Sequence, residues 1–444
     1  MSREIIIGRN ESDLKKFKDK GTLFLGKQYV TMGKIKSLST PIYLDAVRPH
    51  VILVDGKRGS GKSYTLGVIA EGLANLPKEI SENISTLIFD TMGIYWTMKY
   101  PNYKDDKLLS EWELKPTELN PIIYCPIDLF EEYQNKGIPV DKPFSIKPSE
   151  VGAEQFCKIF NIALISEEGI LLQKILAQAK EEYKNDFSID DILVLINKNK
   201  SADSKIKNIL ENRFSSIKDW GIFSKEATEI NEILKGGVTS VLDLSAYSEI
   251  EGGEIIKALI IGILSRKILQ KRLLARKGEE VELISEGSYL TGESSATTEK
   301  KAPLVWIMID EAHEFLPKKG ETLATGALIQ LLREGRQPGI SLVLATQQPG
   351  KIHTDVLTQS DIILSHRLTA KIDLDALNEI MQTYLTFNIT QYINNLPKVK
   401  GAGIVLDDNS EKIYPMRIRP RFSWHGGEDP VAIRTKLKEF GVSF

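Results

Sequence analysis

The feature that most constrains this chain is a glycine-rich segment at residues 56–63, which reads GKRGSGKS. It matches the phosphate-binding pattern GxxxxGK[ST] at every fixed position. A strand-like run, HVILVD, precedes it, and a helical run, YTLGVIAEGL, follows it. The pattern needs this strand–loop–helix context, because loop N–H groups and the start of the helix together surround a phosphate. We therefore predict that residues 56–63 form a P-loop that binds ATP.

Most positions of this P-loop have an expected role. Lys62 is expected to reach the β- and γ-phosphates, and Ser63 to supply its hydroxyl to Mg²⁺. Lys57 and Arg58 are cations that the phosphate cradle does not need. The residues expected to contact the nucleotide are Gly56, Gly59, Ser60, Gly61, Lys62, Ser63 and Tyr64. ATP and Mg²⁺ are the predicted ligands.

A second strand-like run, LVWIMIDE at residues 304–311, ends in two acids. Asp310 fits the Walker B residue that holds the Mg²⁺ shell, and Glu311 fits the base that orients or deprotonates the attacking water. An acid directly after the Walker B aspartate is typical of ATPases that activate water themselves. The pair therefore predicts ATP hydrolysis, with Asp310 at the metal and Glu311 as the catalytic base.

The segment LLREGRQPGISLVLATQQPG, residues 331–350, combines a helix, a turn and a strand. Arg333 and Arg336 are three residues apart, so a helix would place them on one face. Such a pair suits an arginine finger that reaches the γ-phosphate of a neighbouring subunit, and a solvated basic face is the alternative. Gln347 ends the strand, where it would serve as a γ-phosphate sensor or as a structural amide.

Short apolar runs alternate with helical patterns along most of the chain, at residues 50–55, 85–90, 238–244, 304–310, 340–346 and 361–366. This alternation predicts an α/β fold with a mainly parallel sheet that helices cover on both faces. Residues 148–236 interrupt it with helical patterns at 169–183, 189–197 and 204–214, and they predict an inserted helical bundle.

The predicted organisation has five parts. Residues 1–49 form a short N-terminal β element, 50–147 the first part of the core, 148–236 the helical insertion, 237–427 the second part of the core, and 428–444 a C-terminal tail. Within the second part, a long helix is expected at 253–276. The polar residues 277–302 are then expected to form a flexible surface loop, with a binding loop as the alternative.

Composition narrows the class of protein. A net charge of −2 gives no overall basic field, although a ring can carry its positive charge on pore loops alone. The two cysteines, Cys125 and Cys157, form no CxxC or Cys/His cluster, which argues against zinc and a disulfide framework. The N-terminus lacks a signal-peptide pattern, and the run at 258–264 is too short for a membrane span. We therefore expect a cytoplasmic protein without membrane contact.

Several spaced elements together resemble the HerA branch of the HerA/FtsK superfamily of hexameric DNA translocases. They are RPHVILVDGKRGSGKSY, LIFDTMGIYW, VLDLS, MIDEAHEF, REGRQPGISLVLATQQP and RIRPRFSWHGG, and they extend from about Arg48 to Gly427. The resemblance implies a RecA-like core, a homohexameric ring, ATP between subunits and double-stranded DNA in the pore. It also implies that the trans-acting arginine is Arg336 or Arg333, and that Gln347 is the glutamine after the strand.

Three departures from the family pattern stand out. Ile94 occupies a position in the Asp90–Tyr95 stretch where the family often has an acid, and Gln348 replaces an arginine before Pro349. About 49 residues precede the core, where the family usually has a β-barrel on which a nuclease docks. A nuclease remains an expected partner, but a different effector protein is the alternative.

The C-terminal segment KIYPMRIRPRFSWH carries Arg417, Arg419 and Arg421 at alternating positions, which places them on one face of an extended strand. The resemblance implies contact with the next subunit and its ATP, whereas a charged edge strand is the alternative. Two main functions remain open. One is a hexameric motor on double-stranded DNA with a nuclease or other effector, and the other is an ATP-gated scaffold for an effector enzyme, for example in antiviral defence. A motor at a membrane is a third, less favoured, function.

Overall fold

The computed structural model describes residues 4–32, 35–285, 302–381 and 389–427, and it has an α/β fold. The strands in this part of the chain are β1 (Ile5–Ile7), β2 (Thr22–Met32), β3 (Ile35–Asp45), β4 (Val51–Asp55), β5 (Ile84–Asp90), β6 (Ile122–Pro126), β7 (Lys142–Phe144), β8 (Thr239–Asp243), β9 (Leu304–Ile309), β10 (Ile340–Thr346), β11 (Ile362–His366), β12 (Ala402–Asp407) and β13 (Lys412–Ile418). They form one sheet in the order β1-β3-β2-β13-β12-β11-β4-β10-β9-β5-β8-β6-β7. The predicted tail, 428–444, lies outside the described residues.

The α-helices of the same part are α1 (Glu11–Phe17), α2 (Lys62–Ala74), α3 (Lys78–Ser81), α4 (Asp106–Glu111), α5 (Phe130–Asn135), α6 (Ala153–Phe160), α7 (Glu167–Tyr183), α8 (Ile189–Lys198), α9 (Ser204–Lys218), α10 (Ile230–Ile233), α11 (Gly253–Ser285), α12 (Thr325–Glu334), α13 (Thr354–Gln359), α14 (Lys371–Met381) and α15 (Ile389–Asn394). None of these helices is long and apolar enough to cross a membrane.

The central strands, from β11 to β7 in the sheet order, pair in parallel throughout. Side chains of successive residues enter the two different cores, as Leu53 does on one face and Ile52 and Val54 do on the other. Because both faces are buried, each strand reads as a continuous apolar run. The predicted mainly parallel sheet and its six strands are confirmed. Strands β6 and β7 were not predicted from the sequence, because they are short and contain proline.

The N-terminal strands belong to the same sheet. Antiparallel pairing of β11 with β12 and of β12 with β13 leads to β2, where Met416 lies opposite Gln28. Hairpin β2–β3 and the parallel partner β1 complete that edge. The β structure expected before residue 49 is therefore present, and it extends the core sheet.

Helices α6 to α10 lie between β7 and β8 in the chain, where a helical insertion was predicted. The three predicted helices correspond to α7, α8 and α9. Ser166 and Ser188 cap α7 and α8 by accepting backbone N–H bonds from Gly169 and Asp191. Phenylalanines of α6 and α9 pack together, with the rings of Phe160 and Phe214 centred 5.1 Å apart.

The long helix α11 corrects the expected boundary of the surface loop. It continues through Ser285, nine residues beyond the predicted end at residue 276. Arg276 lies 3.3 Å from Glu279 and 3.2 Å from Glu280, and these same-face pairs support the added turns. Buried Arg272 also reaches Glu279 at 3.2 Å. The rest of the expected loop, up to residue 301, lies outside the described residues.

A buried polar cluster joins the N-terminal strands to the parallel core. Arg9 pairs with Asp45 at the end of β3. The imidazole of His50, just before β4, lies 2.7 Å from Asp361 through Nδ1 and 3.3 Å from Asp45 through Nε2. Burial alone would lower the pKa of His50, but the hydrogen bonds to Asp361 and Asp45 outweigh it and raise the pKa to about 9. His50 is therefore a charged link at neutral pH.

This link predicts a fall in stability at alkaline pH. The folded-state pKa of His50, about 9, exceeds the unfolded value of about 6.5, so its contribution is complete below about pH 6.5. It is lost as pH rises through about 9. We expect thermal unfolding of the wild type to occur at progressively lower temperature over that window, and His50→Gln to flatten the dependence. Parallel pH profiles for the two proteins would contradict the assignment.

Candidate nucleotide-binding site

The P-loop has the backbone conformation that its glycines permit. Gly59 and Gly61 have φ values of 72° and 116°, a region that residues with a Cβ rarely adopt. Helix α2 begins directly afterwards at Lys62. The loop therefore ends at a helix N-terminus, where free N–H groups and the helix dipole favour a phosphate.

Backbone hydrogen bonds hold the loop in place. The Lys57 N–H donates to the carbonyl of Arg367 at the end of β11 (3.0 Å), and the Ser60 N–H donates to the Lys57 carbonyl (3.1 Å). The ammonium of Lys62 folds over the loop, 3.4 Å from the same Lys57 carbonyl. Burial lowers the pKa of Lys62. Its contact with a neutral carbonyl leaves the ammonium positioned to meet phosphate oxygens.

The hydroxyl of Tyr95 contacts both residues predicted at the metal. The Tyr95 hydroxyl is 3.3 Å from the backbone carbonyl of Ser63 and 3.4 Å from Oδ2 of Asp310. Ser63 is in the first turn of α2, and Asp310 directly follows β9. A hydroxyl and a carboxylate are ligand types that Mg²⁺ accepts alongside phosphate and water. The donor set therefore fits the predicted ion.

The carboxylate of Glu311 is held by one hydrogen bond and has a second oxygen without one among the described residues. It adopts a left-handed backbone conformation, φ 50° and ψ 43°, directly before the turn at Ala312–Glu314. Gln347 Nε2 donates to its Oε1 at 2.9 Å. Its buried Oε2 makes no hydrogen bond to the described residues, with His313 Nδ1 3.5 Å away. Burial, and then the charge of Asp310, raise the pKa of Glu311 to about 7.

The two candidate arginines lie at the C-terminal end of helix α12. This helix ends at Glu334, the N–H of Gly335 donates to the Leu331 carbonyl, and the chain then turns into β10. Arg333 is 61% exposed and donates to Asp355 at 2.6 Å. Arg336, beyond the helix end, is exposed, and its guanidinium has no partner in the part of the chain described here. Neither arginine lines the cavity that opens beside the P-loop, which is described below.

A cavity of about 550 Å³ opens beside the P-loop. Its lining combines residues of the P-loop and the start of α2, two residues at α4, and residues from the C-terminal third of the chain: Gly59, Gly61, Lys62, Ser63, Tyr64, Asp105, Leu108, Val399, Lys400, Gly401, Arg417, Ile418, Arg419, Pro420, His425 and Gly427. That volume suits a nucleotide-sized ligand. Since P-loop residues line the cavity, phosphates bound by the loop would leave the remaining space for the rest of the nucleotide.

The C-terminal arm comprises residues 417–427. For Arg419 and Arg421, the structure supports neither a charged edge strand nor a contact with the next subunit. The arm does not lie along an edge strand, because β13 is flanked by β12 and β2. Arg419 and Arg421 are buried and reach Glu71 of α2, at 2.7 and 3.2 Å. Contacts within this subunit therefore explain them. Arg417 lines the cavity, as Arg419 also does.

Several residues that support the site gave no signal in the sequence. His366 Nε2 lies 2.9 Å from Thr65 Oγ1 beneath the P-loop, and Ser365 donates to Asp55 at 2.6 Å. Burial lowers the pKa of His366 to about 4 and raises that of Asp55 to about 8, so both side chains are uncharged at neutral pH. Partners about 300 residues apart cannot be recognised without the fold.

The Asp90–Tyr95 stretch forms an ordered turn although residue 94 is not the acid that the family often has. Asp90 accepts N–H bonds from Gly93 and Tyr95, each at 2.8 Å, and so sets the turn that directs Tyr95 towards Asp310. Ile94 packs 3.4 Å from the place that a side chain on Gly427 would occupy. Residue 94 therefore lies beside the C-terminal arm.

A family model described as the central domain of helicase HerA matches residues 30–268, more than half of the chain. The chain belongs to this family. The HerA double-strand break repair helicase of Sulfurisphaera tokodaii is 24% identical over 345 residues, which cover 76% of this chain and 58% of that protein. The probable HerA helicase of Methanocaldococcus jannaschii is 29% identical over 346 residues, covering 72% and 62%. This chain thus spans about three fifths of each relative's length.

Among solved structures, VirB4 of Thermoanaerobacter pseudethanolicus superposes with a TM-score of 0.53 at 11% identity. The match covers 90% of this chain and 96% of that one. At that identity the likeness shows the fold alone. It agrees with the RecA-like P-loop core implied by the sequence resemblance.

The Glu71 contacts predict a large effect from a small substitution. Glu71→Gln leaves Arg419 and Arg421 buried without a counter-charge, which should cost about 3–5 kcal/mol of unfolding free energy. Glu132→Gln is the matched control, because its exposed pair with Lys136 is worth less than about 1 kcal/mol. Denaturant unfolding measures both. Equal, small losses in the two variants would show that the buried pairs do not stabilise the arm.

Proposed function

We propose that this HerA-family protein hydrolyses ATP and uses the energy to move along double-stranded DNA. The observation that carries the proposal is the contact of Glu311 with Gln347 beside the P-loop. It provides a carboxylate with one free oxygen at the carboxyl edge of the sheet, where Lys62 and Asp310 also lie. The relatives named as DNA double-strand break repair helicases support DNA as the substrate.

Each residue then has a defined task in hydrolysis. The P-loop and Lys62 bind the phosphates, and Ser63 with Asp310 would hold Mg²⁺, which neutralises charge on the phosphate oxygens. Oε2 of Glu311 accepts a proton from the attacking water. The Gln347 amide fixes the other carboxylate oxygen, so that the accepting oxygen keeps its direction. The partly dry surroundings strengthen these interactions.

We further propose a homohexamer in which an arginine acts on the neighbour's nucleotide. Arg336 favours this role because it is exposed and its guanidinium is free in the described part of the chain, whereas Asp355 holds Arg333. Its exposed position leaves Arg336 available to an adjoining subunit. A cytoplasmic location and a nuclease or other effector partner belong to the same proposal.

Replacing the proposed base tests the hydrolysis step. Glu311→Gln keeps the shape and the hydrogen bond to Gln347 but removes the proton acceptor, so kcat should fall at least about 100-fold. ATP binding, measured by calorimetry, should stay within about threefold of the wild type. Glu314→Gln, three residues away, serves as the control and should keep near-normal turnover. Substantial hydrolysis by Glu311→Gln would remove Glu311 from the role of base.

Duplex DNA should stimulate the ATPase if the protein is a motor. The measurement is the steady-state ATPase rate with and without double-stranded DNA over a salt series, together with mass in solution. A hexamer whose rate rises several-fold with duplex DNA, less so at high salt, is the expected result. A hexamer indifferent to DNA would favour the ATP-gated scaffold. An active monomer would rule out the arginine supplied by a neighbour.

A further inference from the structure

A second cavity lies where the helical insertion meets the core. Its volume is about 290 Å³, and none of the described residues that line it also lines the cavity beside the P-loop. Its walls come from α6 of the insertion, from α11, and from residues 321–330, which include the first turns of α12. The last of these segments begins ten residues after Glu311. A ligand in this cavity would therefore contact both the insertion and the segment that follows the proposed catalytic base.

The first turn of α12 presents backbone donors to the cavity. Ala324, the residue before the helix, provides no side-chain cap, and the Leu328 N–H donates to its carbonyl at 3.0 Å. Gly326 and Ala327 line the cavity, and their N–H groups donate to no acceptor in the part of the chain that the structure describes. The space beside the Cα of Gly326 is open. Free N–H groups and the dipole at a helix N-terminus favour a negative charge.

Gln155 provides a second, independent indication of a ligand. It lies in the first turn of α6, is only 9% exposed, and lines the cavity. Its Oε1 accepts the N–H of Gly152 at 2.8 Å, and this bond fixes which end of the amide is the oxygen. Its Nε2 is buried and has no hydrogen-bond partner among the described residues. Because an unpaired buried donor costs free energy, the site favours an acceptor that comes from outside the chain.

The charged side chains of the lining limit the charge of such a ligand. Arg266 of α11 is exposed and forms no ion pair within the described ranges. Lys158 and Glu154 lie 3.2 Å apart and neutralise each other. Glu321 is exposed and is likewise without an ion pair to the described residues. One guanidinium and the helix dipole therefore attract a single negative charge, whereas Glu321 opposes a second one.

We propose that this cavity binds the carboxylate of a small organic acid. The carboxylate would accept hydrogen bonds from the N–H groups of Gly326 and Ala327 and from Nε2 of Gln155, and it would pair with Arg266. Two oxygens with about four lone-pair sites can serve these donors together. A volume of about 290 Å³ lies near the lower limit for ligand cavities, so the acid is small. The inference goes beyond the proposed function, because it concerns a ligand other than ATP or DNA.

Trifluoroacetate is a suitable probe, because fluorine NMR relaxation reports its binding to the full chain directly. ADP and Mg²⁺ are kept in excess, so that the P-loop is not free to bind the anion. Gly326→Leu fills the open space, and Arg266→Gln removes the charge. Gly278→Leu and Arg213→Gln are the matched controls, since Gly278 is a helical glycine that also faces open space and Arg213 is exposed on α9.

The wild type should speed the relaxation of trifluoroacetate, and excess acetate should abolish this effect by competition. Gly326→Leu and Arg266→Gln should each bind at least about tenfold more weakly, as expected for loss of access or of a charged hydrogen bond. Both controls should match the wild type. Absence of binding to the wild type, or unchanged binding in the two cavity variants, would overturn the inference. Equal losses in the controls would do the same, since the effect would then lie outside this cavity.

Competition by inorganic phosphate tests the chemical class of the ligand. At equal ionic strength, phosphate should displace trifluoroacetate less effectively than acetate does, and Glu321→Gln should reduce that difference. Stronger displacement by phosphate than by acetate would overturn the assignment to a carboxylate, and an unchanged difference in Glu321→Gln would overturn the part assigned to Glu321. These measurements require neither ATP turnover nor DNA, so a failure of the proposed function would leave their result intact.

Discussion

A single buried carboxylate, that of Glu71, connects the two halves of the nucleotide cavity. It lies on helix α2, which begins at the P-loop, and it accepts hydrogen bonds from Arg419, Arg421 and Ser423 of the C-terminal arm. Burying an ion costs free energy unless each of its oxygens finds donors. Here both oxygens do, so the arm is fixed against the helix.

The position of the arm has consequences far along the chain. The arm follows β13, which pairs with β12 on one side and with β2 on the other. Fixing the arm on α2 therefore also fixes the antiparallel part of the sheet that carries the N-terminal strands. The same constraint holds Arg417 and Ile418 at the cavity, opposite the P-loop. The cavity beside the P-loop and the arrangement of the N-terminal strands thus both depend on the contact between the C-terminal arm and α2.

The sequence predicts those features that local pattern determines. Parallel strands that are buried on both faces leave continuous apolar runs in the sequence, and the P-loop has fixed spacing. The core strands and the positions of Lys62, Asp310 and Glu311 could therefore be predicted from the sequence. The sequence placed Gln347 at the end of a strand, whereas its hydrogen bond to Glu311 required the fold. Contacts between residues far apart in the sequence could not be predicted. Nothing near Arg421 in the chain points to Glu71, 350 residues away, and alternation alone made the buried arm resemble an exposed strand.

The two arginines differ in the groups that engage them. Arg333 lies in the last turn of α12, whereas Arg336 follows Gly335, the residue that caps this helix. Arg336 therefore projects from a turn, free of the salt bridge to Asp355 that engages Arg333. In the proposed ring, this difference separates two tasks. Arg333 would stabilise the contact between α12 and α13, while Arg336 would remain available to an adjoining subunit. Transition-state charge on the transferred phosphate would then be met from two sides, by Lys62 within the subunit and by Arg336 from its neighbour.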